Sequence, residues 1–177
     1  MVYNKQKIHF KKGGKAMTEK TSKELLSVFT EKGLTFSSAE SCTGGMICES
    51  LTALAGSSAV VLGGVVSYSN EVKMKVLGVK EETLSAFGAV SVETAYEMAE
   101  GVNRLTGADI SVSVTGIAGP GGGSLEKPVG TVCFGVTCKG ITRTDKQNFS
   151  PSLSRDEIRR LSSVHAMNMA IEAAKEL

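Results

Sequence analysis

The segment DISVSVTGIAGPGGGSLEKPVGTVCFGVTCKGITRTDKQNF, Asp109 to Phe149, holds most of the information about the fold. Its spacing predicts a strand over Asp109–Val114, a glycine-rich loop over 116–127, and two strands, Val129–Cys138 and Ile141–Phe149. The last two pair around Lys139-Gly140, a hairpin signal. Upstream, helical and extended patterns alternate. A helix is predicted over 18–33 with Gly33 as its stop, and a short strand over Leu34–Ala39. Helical spacing resumes over Met46–Leu54. A buried, β-branched strand follows over Ala59–Tyr68, interrupted by Gly63-Gly64, and then a helix over Asn70–Leu77. Ser91 caps a further helix that ends at Thr106-Gly107. Downstream of the hairpin, Ser154-Arg155-Asp156-Glu157 is a capping box that opens a helix running to the C-terminus. Alternating elements, then a hairpin, then a helix predict an α/β fold: a single layered domain with a mixed β-sheet flanked by helices.

Size and composition agree with this. The chain has 177 residues, 20 Lys and Arg against 18 Asp and Glu, and 41% hydrophobic content. A chain of this length buries roughly 70% of its unfolded surface, enough for a real core. No apolar run reaches the ~20 residues of a membrane span, so no membrane partner is expected. The balanced charge argues against disorder and against a dedicated nucleic-acid binder. All five charges of residues 1–16 are lysines (Lys5, Lys7, Lys11, Lys12 and Lys15), which leaves 17–177 mildly acidic. This basic stretch has no apolar h-region and no cleavage site, so it is not a signal peptide; it reads as a disordered extension before an internal Met17, with a basic arm for RNA or membrane as the alternative. Cys42, Cys48, Cys133 and Cys138 form no CxxC pair, and His165 is the one histidine beyond the extension. A zinc site has little to build on, and the cysteines read as reduced thiols of a cytoplasmic protein.

Three segments could carry chemistry. The first is the loop from Thr115 and Gly116 through Gly119 and Gly121 to Gly123, with five glycines in the eight positions 116–123. Such a loop leaving a strand can converge its N–H groups on an anion; a flexible turn is the alternative. It is neither a P-loop nor a dinucleotide fingerprint. The second segment is Gly56-Ser57-Ser58 followed by Ser67-Tyr68-Ser69-Asn70-Glu71-Val72-Lys73. Hydroxyls beside a lysine are what a Ser–Lys hydrolase needs, because burial can leave the amine neutral and able to take the serine proton. Serine turns and solvated lysines are the commoner use of these residues. The third is Ala39-Glu40-Ser41-Cys42-Thr43-Gly44-Gly45, a strand, glycine turn and helix start that could hold an anion. A Cys42 nucleophile would have only His165 to activate it.

Together, Ala39–Gly45, Tyr68–Lys73, Thr115–Pro120 and Lys127-Pro128-Val129-Gly130-Thr131 resemble the C-terminal domain family of the competence/damage-inducible protein CinA. The resemblance covers about residues 20–177. Stand-alone members of that family are nicotinamide-nucleotide amidases. The resemblance therefore implies hydrolysis of the carboxamide of nicotinamide mononucleotide to nicotinate mononucleotide and ammonia, a step of pyridine nucleotide salvage. It implies a Ser–Lys mechanism with no metal and no cofactor. Carried over by motif, the nucleophile is Ser58 and the base Lys73, with Tyr68 supporting the dyad. Ser41, Thr43, Gly44, Asn70, Thr115, Gly116, Gly119, Gly121 and Arg155 become substrate-binding residues. A homo-oligomer, a dimer, is the family-level expectation. The large N-terminal domain of full-length CinA proteins has no counterpart in this sequence, so no pyrophosphatase activity is expected. The alternative is a catalytically silent nucleotide-binding or interaction module that keeps the glycine loop without needing the dyad.

Overall fold

A computed structural model describes residues 14–177. The elements in chain order are α1 (Gly14–Lys32), β1 (Phe36–Glu40), α2 (Met46–Thr52), a 3-10 turn (Ser57–Ala59), β2 (Val61–Val66), α3 (Asn70–Leu77), α4 (Glu81–Phe87), α5 (Val92–Thr106), β3 (Ile110–Gly116), β4 (Thr131–Cys138), β5 (Ile141–Asn148) and α6 (Arg155–Lys175). The strands form one mixed sheet in the order β2-β1-β3-β4-β5. The first three run parallel, and β4 and β5 are antiparallel to their neighbours. The expected layered α/β domain is the one observed.

Three expectations are corrected. The basic extension placed at 1–16 overlaps α1, which begins at Gly14; the rest of it lies outside the described residues. The strand expected to be buried over Ala59–Tyr68 is instead an edge strand with alternating exposure, half-open at Leu62 and Val66. Its β-branched run marks strand formation but not burial, since only β1 flanks it. The helix α4 was not anticipated. Its start is capped from elsewhere: Glu97 of α5 accepts from Lys80 N–H at 2.8 Å and from Thr83 Oγ1 at 2.8 Å. Sequence spacing cannot show a capping group supplied by a distant helix.

Helices α1, α2 and α6 cover one sheet face over a core of Leu25, Phe29, Phe36, Ile47, Val112, Phe134 and Met167. On the other face α5 packs with α3 over Ala39, Leu77, Val79, Met98 and Val102. Two glycines set how closely this second layer sits. A Cβ on Gly101 would lie 2.0 Å from Leu77 O, and one on Gly135 would lie 2.6 Å from Ala95 O. Because both obstacles are backbone, α5 can reach α3 and β4 only if those positions lack side chains. That packing fixes α3, whose start is capped by Ser69 accepting from Val72 N–H. The predicted capping box of α6 is present, with Ser154 and Glu157 bonded reciprocally. No helix among the described residues is long and apolar enough to cross a membrane.

Candidate active site

The order β2-β1-β3 means that the chain leaves β1 to one side for β2 and later returns on the other side for β3. Parallel strands that diverge in this way open a crevice at their C-terminal ends. A cleft of about 260 Å³ lies there. Ser41 follows β1 at its edge, Tyr68 and Lys73 follow β2, and Thr115 and Gly116 end β3. Loop residues 117–119, 121 and 122 with Ala89 and Val90 form further wall, and Arg155 reaches in from α6.

At its floor Lys73 Nζ donates to Ser41 Oγ at 3.0 Å and to Ser67 O at 2.6 Å. Lys73 is only 1% exposed, and its two partners are both uncharged. An ammonium there would have three donors for two acceptors and no carboxylate to balance it. Burial accordingly pulls the Lys73 amine below the usual lysine range. Its acceptor is itself fixed, because Ser67 N–H donates to Glu40 O at 2.8 Å.

Ser41 starts a tightly held turn. Its N–H donates to Val114 O of β3 at 2.9 Å, and Gly44 N–H donates back to Ser41 O at 3.1 Å. Gly44 and Gly45 take φ of 62° and 92°, which lets the chain reverse into α2. The buried Glu40 carboxylate accepts from Ile47 N–H at 3.1 Å and Cys48 N–H at 3.0 Å, filling the start of α2 with negative charge. From α6, Arg159 donates to Cys42 O at 3.2 Å and Thr43 O at 2.7 Å.

The Ser58 assignment fails on geometry. Ser58 is exposed in the 3-10 turn before β2, whereas Lys73 lies beyond the strand's other end. Six strand residues separate the two ends, about 20 Å. The lysine instead bonds Ser41, which the sequence had marked only as pocket lining. A usable signal was present: Ser41 follows a strand and Ser58 precedes one, and open parallel sheets place their sites at the following ends.

The other expected residues divide. Thr115, Gly116, Gly119, Gly121 and Arg155 line the cleft; Thr43, Gly44 and Asn70 do not. Thr43 is fully buried and Asn70 faces solvent on the first turn of α3. Tyr68 is 64% exposed, and its hydroxyl accepts from Arg155 Nη2 at 3.2 Å instead of joining the dyad. Arg155 also donates to Gly119 O at 2.7 Å, so the guanidinium is held across the mouth between two walls. Thr115 Oγ1 donates to Ala89 O at 2.7 Å. The lining thus carries two basic side chains, Lys73 and Arg155, and no carboxylate.

The thiol reading loses support. All four cysteines are free, and burial pushes the Cys42 thiol up to about 12, so the thiolate is scarce near neutrality. His165 pairs with Asp145 of β5 at 2.8 Å and packs at a tilt against Phe134 of β4, away from the cleft. Sequence reasoning named Glu40 and Ser67 only as members of their segments, without these contacts, and missed Arg159, whose bonds join α6 to a turn far away in the chain.

Comparison with known proteins gives a consistent picture. The family model for the CinA C-terminal domain matches residues 18–174. A CinA-like protein of Kosmotoga olearia is 46% identical over 149 residues, 84% of this chain and 36% of that protein. The chain spans about a third of the length of the curated relatives it matches. The crystal structure of the competence/damage inducible protein CihA from Agrobacterium tumefaciens superposes with a TM-score of 0.86 at 45% identity, covering 89% of this chain and 95% of that one. A CinA superfamily protein from Klebsiella pneumoniae gives 0.86 at 33% identity, with 90% and 99% covered.

Proposed function

The chain belongs to the CinA C-terminal domain family, and from that premise we propose that it is an amidohydrolase that converts nicotinamide mononucleotide to nicotinate mononucleotide and ammonia, with Ser41 as nucleophile and Lys73 as base. The observation that carries this reading is the 3.0 Å bond between Ser41 Oγ and a buried lysine with no acidic partner. A neutral amine takes the Ser41 proton as the oxygen attacks the carboxamide carbon. The resulting ammonium returns that proton to the departing nitrogen, the C–N bond breaks, and ammonia leaves. Water then attacks the Ser41 ester with Lys73 again as base, which releases the carboxylate and restores the hydroxyl.

The rest of the cleft suits the substrate. Arg155 is pre-placed by Tyr68 and Gly119, and its remaining donors match a phosphate. A wall of glycines lets the sugar-phosphate approach the backbone closely. With the Arg155 guanidinium in the lining and no carboxylate opposing it, the cleft selects for an anionic ligand.

The test is ammonia release from nicotinamide mononucleotide by the purified protein, with Ser41→Ala as control. Turnover that disappears in Ser41→Ala supports the reading. Tight binding of the mononucleotide without turnover would make the protein a binding module instead.

A further inference from the structure

Arg159 occupies an unusual position for a charged side chain. It lies one turn after Arg155 on α6, so both guanidiniums leave the same helix face. Where Arg155 enters the cleft, Arg159 passes behind it. Its hydrogen bonds go to Cys42 O at 3.2 Å and Thr43 O at 2.7 Å, the two carbonyls directly after Ser41. Among the described residues it forms no ion pair with a carboxylate, whereas its neighbour Arg160 pairs with Asp156 at 2.7 Å. A half-buried guanidinium satisfied by consecutive carbonyls is a clamp on the backbone.

The clamp has a counterpart. The turn starts at β1 and ends at α2, and the buried Glu40 carboxylate ties those ends together through Ile47 and Cys48 N–H. Among the described residues, the middle of the turn, Cys42-Thr43, takes side-chain hydrogen bonds from Arg159 alone. Gly44, next in the chain, has positive φ and the conformational freedom of glycine. Without the clamp, Ser41 would keep its own backbone bonds to Val114 and Gly44, but the Cys42 and Thr43 carbonyls that follow it would lose their side-chain anchor. Ser41 Oγ has to remain within hydrogen-bond reach of an amine that is itself fixed by Ser67 O.

We propose that Arg159 is a positioning residue for the Ser41 nucleophile: by pinning the Cys42 and Thr43 carbonyls to α6 it keeps the serine in line with Lys73. Arg159 touches none of the reacting atoms and is not itself part of the lining; it reaches the cleft only from behind, through the carbonyl of the lining residue Cys42. The proposal rests on Ser41 being the nucleophile, and its consequence is kinetic. Losing the clamp lowers kcat and the intrinsic reactivity of Ser41 and leaves KM nearly unchanged, because the substrate-binding wall of Arg155 and the glycine loop is untouched.

The experiment measures two rates on the full chain: labelling of Ser41 by a fluorophosphonate, which needs the activated serine but no substrate recognition, and steady-state ammonia release. Arg159→Ala should slow both by about 10- to 100-fold, the loss typical of a nucleophile displaced by roughly 1 Å, with KM within about 3-fold. Arg159→Lys, which can replace one of the two bonds, should recover part of the loss at an unchanged melting temperature. Arg160→Ala should match wild type. Equal labelling rates for wild type and Arg159→Ala would overturn the positioning role while leaving the Ser41–Lys73 reading intact. An Arg159→Lys variant that folds as wild type yet labels as slowly as a collapsed Arg159→Ala would overturn it too. A wild-type protein that is neither labelled nor active would instead overturn the reading on which the proposal rests.

Discussion

Two turns of this protein share serine and glycine and have opposite surroundings. Gly56-Ser57-Ser58 precedes β2 and stands in solvent, with Ser58 exposed. Ser41-Cys42-Thr43-Gly44-Gly45 follows β1 and is held by β3, by the Glu40 carboxylate and by Arg159. A hydroxyl becomes a nucleophile through what is fixed against it, and only the second turn lies beside a buried amine. Residue type is shared between the turns; the strand end is not.

The largest expected effect breaks this comparison directly. Ser41→Ala should lower amide hydrolysis by about 10³-fold or more, since the covalent route is lost. Ser58→Ala should stay within about 2-fold of wild type, as an exposed surface change would. Reversed results would return the nucleophile to the first turn. Lys73→Arg should reduce kcat by about 10²- to 10⁴-fold although charge is kept, because a guanidinium does not deprotonate in proteins. Since burial lowers the Lys73 pKa, the neutral base is present above that lowered value and is lost as pH falls through it. A rate that declines on acidification in wild type agrees with this. A flat profile across the acid range would remove Lys73 as base.

A smaller effect sharpens the assignment of the cleft mouth. Arg155→Ala should raise KM for the mononucleotide by about 10-fold, and much less for the phosphate-free riboside. Equal losses on both substrates would place Arg155 at the amide end or in the scaffold. The smallest effect falls outside the site. The His165 hydrogen bond holds the Asp145 carboxyl down at about 2. The ionised Asp145 therefore stabilises the fold above its unfolded pKa near 4, and that contribution fades as pH drops from about 4 to 2. Asp145→Asn should cost about 1–2 kcal/mol at pH 7 in urea unfolding and almost nothing at pH 2. Activity per folded molecule should not change, because the pair lies away from the cleft.

The sequence by itself determined the elements, apart from α4, and their order. The capping box at Ser154, the cap at Ser91 and the Lys139-Gly140 hairpin are local devices, and local spacing records them. It also marked Lys73, Thr115, Gly116, Gly119, Gly121 and Arg155, all of which meet in one cleft. Tertiary structure alone decided which serine faces the lysine, because that depends on the order β2-β1-β3 and on which ends of the strands point the same way. It also decided that β2 is an edge, that Tyr68 bonds Arg155, and that Glu40, Ser67 and Arg159 hold the segments carrying Ser41 and Lys73. Arg159 stands 117 residues from Cys42. A hydrogen bond across that separation leaves no periodicity in the chain; it exists only once the sheet has brought α6 over the end of β1.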